Sequence, residues 1–174
     1  PDYKPRNLPE KTWAATGWKN DGSRPRAVIN SLYIQAQDCE DMNKRLQKKY
    51  DEMAQNELMV ETQMMEDAEY AIVAYGTTAR ICTSAKRMAE KAGIGVGIVR
   101  PITVWPFPYR QVQEACAHAK AVLCVEMSAG QMLDDVKIAL NGTKPSYLYY
   151  RLGGMMPAAK DICREIVRLN EEVR

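Results

Sequence analysis

The sequence is short of the residues from which most catalytic and metal centres are built. It has a single histidine, His118, so neither a histidine metal site nor a His-paired nucleophile has its full set of parts. Its five cysteines are scattered, no two lying closer than Cys116 and Cys124, which removes every C-x-x-C half-site for zinc or an iron-sulfur cluster. An odd, dispersed set reads as reduced thiols of a cytoplasmic protein. Cys82, Cys116, Cys124 and Cys163 fall within apolar patterns, where a free cysteine serves as a small core residue. Charge of one sign is missing as well. The 24 Lys and Arg and 22 Asp and Glu are interspersed, notably over 38–61 and 160–174, and leave no basic stripe for nucleic acid or an anionic membrane. No apolar run approaches the roughly 20 residues that would span a bilayer.

Nucleotide and hydrolase signatures are also absent. Neither G-x-G-x-x-G nor G-x-x-x-x-G-K-[ST] follows an apolar run, and Gly93, Gly95 and Gly97 precede and enter a strand instead of leaving one. No G-x-S-x-G marks a nucleophile elbow. There is no repeat, low-complexity tract or heptad pattern.

What is present is an alternation of strands and amphipathic helices. The opening stretch, polar, proline-bearing and aperiodic, reads as a linker over 1–37 descending from a missing upstream domain. A domain over 38–174 then begins with a helix whose Met42, Leu46, Tyr50 and Met53 form a buried face. "ELMVETQM" suits an exposed strand and "AIVAY" one covered on both faces. Next comes a helix with Ile81, Ala85, Met88 and Ala92 inward, Lys86 and Arg87 outward, and Gly93 at its stop. "GVGIV" and "AVLCVEM" are further buried strands, and "SYLYYRL" is a last one. The helix "YRQVQEACAHA" carries Val112, Ala115, Cys116 and Ala119 on one face and His118 late in its course. Another follows through Met132, Val136, Ala139 and Leu140, and a final one through Ile162, Ile166, Leu169 and Val173. Such alternation builds parallel crossovers with helices on both faces, a three-layer α/β/α sandwich.

Candidate site residues gather where strands end. Gly76 supplies a tight turn, and Thr77 or Thr78 can cap the helix that follows; the same helix start could hold an anion, but capping is the preferred reading. Glu126 closes a buried strand and is either an acid or base, or a carboxylate capping amides near Ser128, Gly130 and Gln131, with capping again preferred. Trp105 and Phe107, held among three prolines in "RPITVWPFP", mark either an interface or internal packing. All of these belong to the carboxyl edge of the sheet, where ligands and partner chains meet open α/β folds. None is assigned a catalytic, cofactor-binding or metal role; the edge is a candidate for a ligand or an interface.

The segments "AYGTTAR", "VGIVRPITVWPFP" and "VEMSAGQMLDDV" closely resemble the C-terminal part of the α-type subunit of 2-oxoacid:ferredoxin oxidoreductases, nearest the 2-oxoisovalerate (3-methyl-2-oxobutanoate) branch. The likeness runs from about Arg26 to "RLGGMMP", with Ser128 standing where asparagine is expected. It implies a transketolase C-terminal-like fold with a mostly parallel five-stranded sheet, Met59 to Met64 forming the antiparallel strand and "AIVAY" central. It implies further a multisubunit enzyme that oxidatively decarboxylates a branched-chain 2-oxoacid to an acyl-coenzyme A. Thiamine diphosphate with magnesium, coenzyme A and iron-sulfur clusters would sit on other domains or subunits, with ferredoxin as acceptor. This chain would be its structural and assembly domain, inactive alone, binding no cofactor, and packed against the other domains and the pyrophosphate-binding subunit. The nearest counterpart of the G-D-G magnesium motif, "KNDGS" from Lys19 to Ser23, reads as a linker turn. A free-standing interaction module of the same fold is the alternative.

Overall fold

The computed structural model describes residues 3–5, 7–9, 18, 20–26 and 28–173. Part of the expected linker, Lys19 of "KNDGS" and Arg174 of the last helix run lie outside them. The chain divides into two compact units, Pro1–Leu46 and Gln47–Arg174. In the first, the described residues before Ala36 form no helix or strand, and local turns fix the backbone: the Ser23 N–H donates to Asp21 Oδ1 at 2.9 Å and the Leu32 N–H to Asn30 Oδ1 at 3.0 Å. Helix α1, Ala36–Asn56, begins in this unit and ends in the second. The face expected to be buried, Met42, Leu46, Tyr50 and Met53, is only half-buried, and no residue of α1 is fully enclosed.

The second unit runs β1 Val60–Gln63, β2 Tyr70–Val73, α2 Gly76–Lys91, β3 Val96–Pro101, α3 Tyr109–Ala115, β4 Ala121–Glu126, α4 Gln131–Leu140, β5 Ser146–Tyr150 and α5 Ala159–Glu172. The five strands form one sheet in the order β1-β3-β2-β4-β5. β1 pairs antiparallel with β3, Val60 opposite Pro101, and every other pairing is parallel, with Ile72 opposite both Ile98 and Leu123. The expected topology is therefore the observed one, with β2 central and β1 at an edge.

Continuous apolar runs in β2 and β4 follow from cover on both faces. Ile72, Ile98 and Leu123 face one core with Ile162, Ile166 and Leu169 of α5, while Val73, Val99 and Val122 face a second with Val112 of α3 and Val136 and Leu140 of α4. Each such large side chain contributes about 1.5–3 kcal/mol by leaving water.

Further expectations fail at helices. α2 is turned about its axis relative to the expected face: Ala79, Cys82, Ala85 and Ala89 are buried, whereas Met88 and Ala92 are exposed. Small side chains let the helix backbone come close to the sheet and to α5, so packing distance overrode the stripe of larger residues. Lys86, expected outward, is buried to 7% exposure with its ammonium paired to Glu90 one turn on. Its long stem covers apolar surface while its head reaches a carboxylate. His118 also lies beyond α3, in an exposed turn, because that helix stops at Ala115.

Gly93 does end α2, at φ +79°. Its N–H donates to the Glu90 carbonyl and the N–H of buried Ile94 to that of Ala89, the paired hydrogen bonds of a Schellman turn. Gly97 serves packing. A Cβ there would lie 2.3 Å from Met65 Sδ and 2.9 Å from both Ala68 Cβ and the Met64 carbonyl oxygen, because the loop from β1 to β2 crosses directly over it.

Candidate functional site

β2, β3, β4 and β5 all end on the carboxyl edge, and antiparallel β1 starts there. The chain moves from β2 outward to β3, then returns across β2 to β4. That reversal leaves a crevice between the loops after β2 and β4, the usual place for a ligand or partner. Tyr75, Val104, Phe107, Gln131, Met132 and Asp135 line a cleft of ≈ 120 Å³ here. That volume is well below the roughly 300–1,000 Å³ of a small-molecule pocket. A larger hollow of ≈ 320 Å³ belongs to the first unit, lined by Tyr33, Asp38, Asp41, Met42 and Arg45. Of the residues expected at the carboxyl edge, Phe107 and Gln131 line its cleft. Gly76 adjoins it through Tyr75, and Thr77, Thr78, Trp105, Glu126 and Gly130 do not line it.

At the start of α2, Gly76 has φ +56°, and nothing lies within 4 Å of a Cβ built on it. Its requirement is conformational, not steric clearance. The expected threonine cap is not formed. Buried Thr78 turns its hydroxyl back to donate to the Tyr75 carbonyl, and the helix has no side-chain cap hydrogen bond.

The start of α4 is built differently. Glu126 is fully buried, and its carboxylate accepts the Met132 N–H at 3.1 Å, the Leu133 N–H at 3.2 Å and the Ser128 hydroxyl. A negative charge at the amino end of a helix is favoured by free amides and by the helix dipole. Of the two readings of Glu126, the geometry is that of a capping carboxylate. Ser128, in the place where asparagine was expected, completes that cap. Gly130 at φ +104° turns the chain into the helix, and a Cβ there would lie 3.5 Å from Leu148 Cδ2.

Burial pushes the Cys82 and Cys116 thiols up to about 12, and burial followed by the Glu126 charge pushes Cys124 up as well. Thiols held so high stay protonated at neutral pH and are poor nucleophiles.

The proline-rich loop divides its two aromatics. Phe107 is buried at 6% exposure, with its ring 5.1 Å from that of Tyr109. Trp105 is 58% exposed and meets the Tyr50 ring edge-on at 5.2 Å. Tyr109 Oη donates to Asp135 Oδ1 at 2.6 Å, tying α3 to α4, and this bond raises the Tyr109 pKa. Sequence reasoning missed Tyr75, Val104, Met132 and Asp135. Tyr75 ends an apolar run, Val104 lies in the proline-rich loop and Met132 on an inward helix face, so only Asp135 carried no local signal.

The loops of the carboxyl edge expose apolar side chains: Ile102 and Val104 after β3, Met127 after β4, and Leu152, Met155 and Met156 after β5. The stretches 74–79, 101–109 and 127–133 hold no charged residue, and 150–157 holds only Arg151.

A mostly parallel five-stranded sheet of this order, with helices on both faces, is the architecture of transketolase C-terminal-like domains. A split-gene transketolase, solved as an inactive β4 tetramer, shares it at TM-score 0.55 and 17% identity over 66% of this chain and 42% of that one. The chain belongs to the family described as pyruvate:ferredoxin oxidoreductase core domain II, whose pattern matches residues 68–162. It is 36% identical to ketoisovalerate oxidoreductase subunit VorB of Methanothermobacter marburgensis over 95% of this chain and 46% of that subunit. It is 31% identical to 2-oxoglutarate synthase subunit KorA of Methanothermobacter thermautotrophicus over 64% of this chain and 30% of that one. The 2-oxoglutarate:ferredoxin oxidoreductase of Magnetococcus marinus, solved with 2-oxoglutarate, coenzyme A and succinyl-CoA, superposes at TM-score 0.67 and 21% identity over 92% of this chain and 28% of that chain. The chain thus spans about half the length of the VorB subunits it matches.

Proposed function

We propose that the chain is the structural and assembly domain of an α-type subunit in a thiamine-dependent 2-oxoacid:ferredoxin oxidoreductase acting on a branched-chain 2-oxoacid in the cytoplasm. In this reading 1–37 is a linker and 38–174 the domain. The observation that carries it is the carboxyl edge, where the residues best placed for chemistry are spent on structure and the exposed ones are apolar. The two VorB relatives, matched over 95% of the chain, support the branched-chain assignment.

The residues present do not fit thiamine diphosphate with magnesium, which needs several oxygen ligands around the metal. Asp21 of the "KNDGS" turn is committed to Ser23, whose side chain and backbone hold its carboxyl below the ordinary range. Among the described residues no group of three or more His, Cys, Asp or Glu could hold a metal ion. In this reading the cofactors of the parent enzyme belong to other domains or subunits. Isothermal titration of the purified chain with thiamine diphosphate and magnesium is expected to give no saturable heat at micromolar concentrations. A magnesium-dependent site would overturn the reading.

A further inference from the structure

We propose that the carboxyl edge is an oxidation site, whose exposed methionines Met59, Met127, Met155 and Met156 take oxygen from a peroxide and thereby disable the edge for assembly. The sulfur chemistry stands on the exposure of these side chains; its consequence for association rests on reading that edge as an assembly face. Met127 follows β4 directly, and Met155 and Met156 follow β5 in a turn where the Met155 N–H donates to the Leu152 carbonyl at 3.1 Å. Met59, ahead of β1, is tied to the loop after β3 by its N–H, which donates to Thr103 Oγ1 at 3.0 Å. All four are exposed, Met155 and Met156 at 55% and 50%, whereas Met132 in the first turn of α4 is buried at 5%.

In the step a thioether sulfur gives a lone pair to one oxygen of hydrogen peroxide and the O–O bond breaks. The sulfur is oxidised by two electrons to the sulfoxide, and the peroxide is reduced, its second oxygen leaving as water. No deprotonation is needed. A thiol, in contrast, reacts as the thiolate, and burial keeps Cys82, Cys116 and Cys124 protonated at neutral pH. Peroxide is therefore directed to the edge and away from the core cysteines. A sulfoxide is a polar acceptor, so covering it with the apolar surface that suits a thioether leaves it without a hydrogen bond, at a cost to association. Reduction of the sulfoxide restores the original side chain.

Graded hydrogen peroxide treatment of the full chain, read by peptide mass spectrometry, is expected to add one oxygen to each of the four edge methionines. Met132 and the three buried cysteines should stay unmodified and the denaturation midpoint unchanged. A lowered midpoint overturns the proposal, and so do edge methionines left intact at doses that oxidise exposed Met64 and Met88. Mixed with the remaining subunits of the oxidoreductase, the treated chain should associate about tenfold or more weakly than the untreated one, and methionine sulfoxide reductase should reverse the loss. With Met59→Leu, Met127→Leu, Met155→Leu and Met156→Leu combined, peroxide should no longer change the affinity, whatever the starting value of that variant. A peroxide effect that persists there puts the sensitive group elsewhere and overturns the proposal. Treating the assembled complex separates the two levels. If oxidation of the free chain leaves affinity unchanged while the complex shields the edge methionines and not Met64 and Met88, the assembly face stands and the oxidation site is refuted as a switch; if the edge methionines react in the complex as in the free chain, both readings fall.

Discussion

The two ends of the sheet are made from opposite materials. The amino-end turns carry Glu66, Asp67 and Glu69, then Lys91, His118 and Lys120, and Lys144, with Glu69 and Lys120 paired at 3.1 Å. They are closed by close packing at Gly97 and by the Schellman turn at Gly93. The carboxyl-end loops expose aromatic, aliphatic and methionine side chains around one cation. Among exposed large apolar residues of the second unit, only Met64, Met88 and Ile138 lie away from that edge. One end is finished against water, and the other has the composition of a surface awaiting cover.

Substitutions at the amino end should therefore act on stability. The largest effect is expected for Gly97→Val, whose Cβ meets Met65 Sδ at 2.3 Å and backbone at 2.9 Å, costing about 3 kcal/mol or more by urea denaturation. A smaller cost would show that the β1–β2 loop yields and the amino end is less closed than described.

At the carboxyl end, Glu126→Ala removes a buried cap and strands two amides, for an expected loss of about 2–3 kcal/mol. Stability unchanged in that variant would mean water replaces the carboxylate, opening the edge beneath its apolar rim.

Alkaline titration compares the core under both ends. Cys116 lies toward the amino end and Cys124 in the strand leading to the carboxyl end, and both thiols are raised by burial. The unfolded chain releases these protons near its ordinary thiol pKa while the folded chain retains them. Stability is thus complete below about pH 8.5 and falls above it, by about 1.4 kcal/mol per pH unit for each thiol until the folded value is reached. Cys124 modified by a thiol reagent well before Cys116 in the native protein would break the equivalence.

Gly76→Val should cost about 1–2 kcal/mol, since φ +56° is strained for a β-branched residue although space is open. An unchanged denaturation midpoint would make that glycine incidental. Trp105→Ser is expected to shift stability by less than about 0.5 kcal/mol and, on the proposed assembly role, to weaken association with other subunits. A large loss of stability there would move Trp105 from the rim into the core.

Local sequence determined the succession of strands and helices, the cover of "AIVAY" on both faces and the end of α2 at Gly93, because apolar runs, periodicity and turn chemistry act over a few residues; the central place of "AIVAY" came from the family resemblance. Local sequence located the carboxyl edge too, since strand ends can be read where apolar runs stop. Tertiary packing decided which face of α2 is buried, because the close approach of its alanines to the sheet and α5 outweighed the larger Met88, while Ile81 stays partly buried against the core. It decided between the two readings of Glu126, whose role depends on amides brought over it by α4. It also decided that Gly97 is a contact and Gly76 a conformation, and it collected Tyr75, Phe107, Met132 and Asp135 into one cleft from segments following three different strands or loops. Those outcomes depend on distances between segments remote in the chain, which no local pattern encodes.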